Sequence, residues 1–213
     1  GKLEIKESAD MLLGKLKSDP AEAVKVQALN SLVAMNAENL SEAISYAMSD
    51  NSEAVRVAGL GLLAQTNVPN DQKVTLLTDI IKKRTLPEKQ TALLTLGGLE
   101  GSKDLPVWKT ILADFDAGKL PEGTWIELEE AIAATTSPEL KTQFDGLLDK
   151  KAAGEPWKKY AGALAEGNVR RGRNIFFENQ TAQCIRCHAY DDMGGNAGPA
   201  LDAIGKSLSK EEL

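Results

Sequence analysis

The chain has 213 residues, 42% of them hydrophobic and 26% charged, with a formal net charge of -6 and a pI near 5.0. Such a balance describes a soluble, globular chain with room for one large domain or two modest ones. It argues against a general nucleic-acid binder, whose surface must be basic. No apolar run approaches the roughly 20 residues that a bilayer-spanning helix needs.

From about residue 8 to residue 150 the pattern is helical throughout, because apolar residues recur three and four apart, as in Leu29, Leu32 and Val33 or Leu60, Leu62 and Leu63. The segment also repeats itself. Ser18-Asp19-Pro20-Ala21-Glu22-Ala23-Val24-Lys25-Val26-Gln27-Ala28-Leu29 matches Ser49-Asp50-Asn51-Ser52-Glu53-Ala54-Val55-Arg56-Val57-Ala58-Gly59-Leu60, and weaker copies begin near Leu86-Pro87-Glu88 and Leu120-Pro121-Glu122. A repeated helix pair of this kind buries its apolar face only by stacking on its neighbours. The small residues Ala28, Gly59 and Ala92 suit close helix contacts, and Met11, Met35 and Met48 read as core.

The repeat resembles HEAT and armadillo repeats, in which an Asp or Pro turn precedes a helix with a Val-[Lys/Arg]-x-x-[Ala/Gly]-Leu core. Its period of about 31 to 34 residues is shorter than the usual HEAT period and nearer that of tetratricopeptide repeats, whose Trp, Gly and Tyr pattern is absent. The expected first domain is a HEAT-like helical-repeat solenoid over 1–152.

The texture changes next. Lys150-Lys151-Ala152-Ala153-Gly154-Glu155-Pro156 reads as a linker, and Trp157-Lys158-Lys159-Tyr160 opens a short helical piece ending near Gly167. The linker and short helix are assigned to 153–167 and a second domain to 168–213. In that domain Asn168 caps a helix expected over Val169 to Glu178, on which Gly172 and Phe176 share one face.

Cys184-Ile185-Arg186-Cys187-His188 follows, and it holds both cysteines and the sole histidine of the chain. Cys-x-x-Cys-His is the attachment pattern for c-type haem. Two thiols at this spacing reach the two vinyl groups of one porphyrin, and the adjacent His becomes an axial ligand of the iron.

The surrounding residues resemble cytochromes c. A Gly and an aromatic on the helix before the haem motif, here Gly172 and Phe176, meet the last helix of that fold at a close crossing. Gly198-Pro199-Ala200-Leu201 matches the Gly-Pro-x-Leu that follows the motif. By this resemblance the Pro199 carbonyl accepts the Nδ1 hydrogen of His188, fixing its tautomer, while Leu201 and Ile204 wall the haem. Residues from about 160 to 213 are similar, more narrowly, to a bacterial haem domain found at the end of large periplasmic proteins. There it follows HEAT-like repeats and often a β-propeller resembling sorbosone dehydrogenases. Ala200 stands where that family has an acidic residue.

Ser209-Lys210-Glu211-Glu212 reads as a capping box, yet the chain stops at Leu213, as it starts at Gly1 rather than Met. Both ends suggest a piece of a longer protein, with the cytochrome domain cut short. Met193 is the one methionine near the motif and a weak candidate for the distal iron ligand, because it stands only five positions after His188.

Other readings of these residues compete. Zinc would need Cys184, Cys187, His188 and a carboxylate such as Asp191 or Asp192. A thioredoxin-like dithiol would need a strand-to-helix junction. Arg170, Arg171, Arg173 and Arg186 with Lys158 and Lys159 form a basic cluster, read first as a solvated helix face and second as a contact for haem propionates or an acidic redox partner. The sole His is claimed by the haem motif, which leaves a Ser-His-Asp hydrolase little support. The expectation is therefore an all-α chain: a repeat solenoid followed by a partial cytochrome c-like domain. It carries electrons through covalent haem c and is not itself an enzyme. Its partner is a redox protein or an attached dehydrogenase, and covalent haem implies a periplasmic setting. The alternative is a helical-repeat interaction scaffold whose haem motif is unloaded in this fragment.

Overall fold

The structure, a computed structural model, describes residues 2–165, 168–210 and 212, with the side chains of residues 2–5 and 170 outside the description. The chain is mostly helical, with a single two-stranded sheet among the described residues. It divides into two compact units, Gly1–Lys159 and Tyr160–Leu213. No helix among the described residues is long and apolar enough to cross a membrane.

The first unit holds α1 (Lys2–Ser18), α2 (Glu22–Ala34), α3 (Leu40–Met48), α4 (Glu53–Gly61), α5 (Asn70–Lys83), α6 (Leu86–Gly97), α7 (Val107–Asp116), α8 (Trp125–Ala134) and α9 (Pro138–Lys151). Consecutive helices pair as α1 with α2, α3 with α4 and α5 with α6. The second members then stack in series, α2 on α4, α4 on α6 and α6 on α8. Aliphatic side chains at helical spacing fill the space between them. Leu16, Leu29, Leu32 and Ile44 anchor one cluster, and Leu77, Leu93, Leu96, Leu128 and Phe144 anchor a second.

The repeated sequence folds into a repeated turn. Asp19 Oδ1 accepts the amide of Ala21 at 3.0 Å, and Asp50 Oδ1 accepts that of Ser52 at 2.8 Å. Each short side chain thus satisfies a donor at the mouth of the following helix. Ser52 caps α4 by accepting the amide of Val55, and Thr85 with Glu88 forms a capping box on α6. The copy near Leu120 differs: a 3-10 turn, Glu122–Thr124, leads into α8.

Close approach fixes the small residues. A Cβ on Gly59 would stand 2.8 Å from that of Ala47 on α3, and one on Gly97 would stand 2.6 Å from the Ala131 Cα on α8. Ala28 and Ala92 are buried in the same layers. Met35 and Met48 pack partly buried against the core. Met11 does not join the core: it is 64% exposed, on a helix at the end of the array with neighbours on one side only.

Polar groups join successive pairs. Lys25 Nζ reaches Asp50 at 2.7 Å. Arg56 holds Glu88 through two nitrogens, at 2.8 and 3.4 Å, and donates to the carbonyls of Asp50 and Asn51 at 2.9 Å each. Hydrogen bonds from Arg56 and Thr85 keep the Glu88 carboxyl below its ordinary pKa despite its burial, which acts the other way.

After a 3-10 turn over Pro156–Tyr160, the second unit continues with α10 (Ala161–Leu164), α11 (Val169–Glu178), β1 (Ala189–Tyr190), β2 (Met193–Gly194) and α12 (Ile204–Ser207). The expected helix end at Gly167 lies outside the described residues. Among its described residues this unit buries no large apolar side chain: Val169 is 87% exposed and Tyr160 73%.

Candidate functional site

The Cys184–His188 segment is shaped from both sides. Upstream, the Asn168 side chain caps α11 by accepting the amide of Arg171 at 2.9 Å. At the other end of α11, Asn179 Oδ1 accepts the amides of Thr181 and Ala182, while its carbonyl accepts that of Gln183. Gln183 turns left-handed, at φ +49°, and delivers the chain into a 3-10 turn over Cys184–Arg186. The Cys184 carbonyl then accepts from the amides of both Cys187 and His188, at 3.2 and 3.0 Å. This coil sets the two cysteines one turn apart, both as free thiols, with Cys184 half-buried and Cys187 exposed.

Downstream lies a hairpin that the all-α reading did not include. Ala189 pairs with Gly194 and Tyr190 with Met193, around Asp191 and Asp192 at φ +57° each. Positive φ at both central residues matches the right-handed twist of the flanking strands. Asp202 Oδ1 accepts the Asp191 amide at 2.6 Å and holds the turn.

The glycine-rich stretch closes over the coil. Gly195 donates to the Ile185 carbonyl at 2.8 Å, Gly198 to that of Cys187 at 2.7 Å, and Leu201 to that of Ala189 at 2.9 Å. Side chains have no room here: a Cβ on Gly194 or Gly195 would overlap the carbonyl oxygens of His188 and Arg186. Gly198 lies directly against the His188 ring.

His188 Nδ1 stands 2.9 Å from the Pro199 carbonyl oxygen. A carbonyl only accepts, so Nδ1 carries the hydrogen in this contact, and whenever the ring is neutral its lone pair is on Nε2. Leu201 is half-buried, and Ile204 starts α12 with its amide 3.2 Å from the Leu201 carbonyl. Phe176 meets Phe177 and Tyr190 edge to face, with centroids 5.0 and 6.3 Å apart. Cys184, Cys187, His188 and Pro199 thus belong to one hydrogen-bonded knot, while Phe176 joins it through Tyr190. Met193, 44% exposed, sits in the hairpin that grows directly out of His188.

The rival chemistries find little here. Among the described residues no three His, Cys, Asp or Glu converge to hold a metal ion. The Cys-x-x-Cys lies on a 3-10 turn between a helix and a hairpin, with no strand leading into it. The basic cluster is largely engaged locally. Arg173 stacks over the Phe177 ring at 4.6 Å, Arg186 donates to Gln183 at 2.6 Å, Lys158 pairs with Glu155 at 2.5 Å and Lys159 pairs with Asp149. Sequence reasoning missed Asn179 and Asp202; an Asx residue just past a helix end was the available signal for the first.

These features define a mostly helical protein whose two cysteines and sole histidine share one loop. No family model, curated protein or solved structure matches the chain.

Proposed function

We propose that this chain transfers single electrons through a haem held covalently by Cys184 and Cys187, with His188 as an axial ligand. In this reading the first unit is a HEAT-like helical-repeat solenoid and the second is the proximal part of a c-type cytochrome domain. The observation that carries it is the His188–Pro199 hydrogen bond, which leaves Nε2 free to ligate on the same coil as two free thiols.

The residues present fit the group. Two thiols stand at attachment spacing, and the imidazole turns Nδ1 to the Pro199 carbonyl, which leaves Nε2 for a ligand. Phe176, Leu201 and Ile204 are half-buried apolar side chains in a unit whose described residues form no buried apolar cluster. Ordering each backbone residue costs about 1–2 kcal/mol, and burial within this unit offsets little of it, so an apolar prosthetic group supplies the missing core. When bound, haem provides the reversible one-electron change at iron. The protein's residues do the rest. Cys184 and Cys187 tether, Pro199 and Gly198 hold the imidazole, and the Pro199 carbonyl raises the basicity of that ring.

Such a module receives electrons from a dehydrogenase, attached or separate, and turns over no substrate itself. Covalent attachment places it outside the cytoplasmic membrane, in the periplasm of a bacterium. Haem staining of a denaturing gel tests the proposal. Protein matured with a haem-attachment system should retain stain, and a Cys184→Ser/Cys187→Ser variant should not. Unstained wild-type protein, with both thiols still titratable, contradicts the proposal.

A further inference from the structure

The repeat unit carries a cleft that electron transfer does not use. α5 packs along α6, but its contacts with its neighbours α3 and α7 are slight. Between α5 and α7 this leaves an open-sided cleft of about 250 Å³. Its floor is apolar: Ile81 from α5, Ile111 from α7 and Leu120 from the segment that follows. Its rim carries Lys82, Lys89 and Lys119. Neither Lys82 nor Lys89 has an ion-pair partner among the described residues, and Lys119 reaches Asp114, the one acidic group of the rim, only at 3.7 Å.

Three ammonium groups around one apolar hollow, in a chain of net charge -6, set a local charge against the global one. With Asp114 as the single acidic group beside them, they complement carboxylates brought from outside. A simple anion does not suit the site, because no buried polar side chain waits to hold it: of the two threonines that also line the cleft, Thr110 is exposed and Thr78 already donates its hydroxyl to the Val74 carbonyl. The hollow instead has the volume for one or two aliphatic side chains, whose burial contributes about 25 cal/mol per Å² of apolar surface. We propose that this cleft docks an acidic segment of a partner protein. One aliphatic side chain enters between α5 and α7, and flanking carboxylates meet Lys82, Lys89 and Lys119. The apolar contact and the lysine rim both contribute to affinity, and the rim also sets orientation and approach.

The test is an NMR titration of the isotope-labelled full chain with a capped peptide of Leu flanked on both sides by Glu. Controls replace its Leu by Ala or its Glu by Lys. The Leu/Glu peptide should give saturable amide shifts around Ile81, Ile111 and Leu120. Affinity should fall about tenfold, or 1.4 kcal/mol, in a Lys82→Glu/Lys89→Glu variant and hold in a Lys6→Glu variant. Absence of saturation up to millimolar peptide overturns the proposal. So does an equal response to the Lys-flanked or the Ala peptide, or the same shifts from inorganic phosphate alone, which would mark a mere charge patch. A failed haem stain leaves this result untouched, since the cleft lies wholly within the first unit.

Discussion

The His188 imidazole lies against the Cα of Gly198, where a Cβ would stand 2.6 Å from Cε1 and 2.8 Å from Nδ1. The ring is therefore fixed from two directions, by this contact and by the hydrogen bond to Pro199. Gly198→Ala should displace the ring and break that bond. Because His188 is the sole histidine, its ring nitrogens can be followed by NMR without ambiguity. Wild-type protein should show the Nδ1-protonated neutral tautomer, and the variant should lose that preference. An unchanged tautomer would mean that the glycine does not position the ring.

Asp202 holds the hairpin turn through its 2.6 Å bond to the Asp191 amide, beside two residues in the left-handed region. Hydrogen bonds to a charged group contribute about 1.5–3 kcal/mol, toward the lower end at an exposed site. Asp202→Ala should speed hydrogen exchange at the Asp191 amide, while Asp202→Asn should restore much of the protection.

A pH dependence follows from the Arg56–Glu88 pair. Glu88 has a folded-state pKa below its ordinary 4.5. Its contribution to stability is therefore complete above that value and is lost as the pH falls through the lower folded-state value. Resistance of the first unit to denaturant should weaken from about pH 4.5 downward, and part of that slope should vanish in Glu88→Gln. Removing the partner outright, in Glu88→Ala, leaves the Arg56 charge without its carboxylate and should cost about 3 kcal/mol at neutral pH.

At Gly97 the backbones of α6 and α8 come close together. Gly97→Ala would set a methyl 2.6 Å from the Ala131 Cα, and backbone cannot yield as a side chain can. A loss of about 2 kcal/mol is expected in thermal or chemical unfolding. Gly146→Ala makes a fair control, since nothing beyond the local backbone of its own helix lies within 4 Å of a Cβ built there.

The helices of the first unit were legible because their apolar residues keep a 3.6-residue period, and the matching Asp19 and Asp50 segments do fold into matching turns. What the equivalent cations reach was not legible. Lys25 turns to Asp50, whereas Arg56 crosses to Glu88 on α6, because side-chain reach depends on how the pairs stack. Near the histidine, Gly-Pro-x-Leu pointed to the Pro199 carbonyl. The hairpin gave no such sign: its strands are two residues long, too short to alternate, and its turn is Asp-Asp rather than the Asn-Gly or Asp-Gly that usually marks one. Methionine was a poor guide to burial. Its flexible side chain packs anywhere, and Met11 faces solvent.

The central claim concerns Cys184, Cys187 and His188, and the most direct measurement is the visible absorbance of the chain after maturation with a haem-attachment system and extraction with acidified acetone. Covalent attachment predicts c-type bands that stay with the protein through extraction. A colourless protein, or colour that leaves entirely with the solvent, would contradict the account.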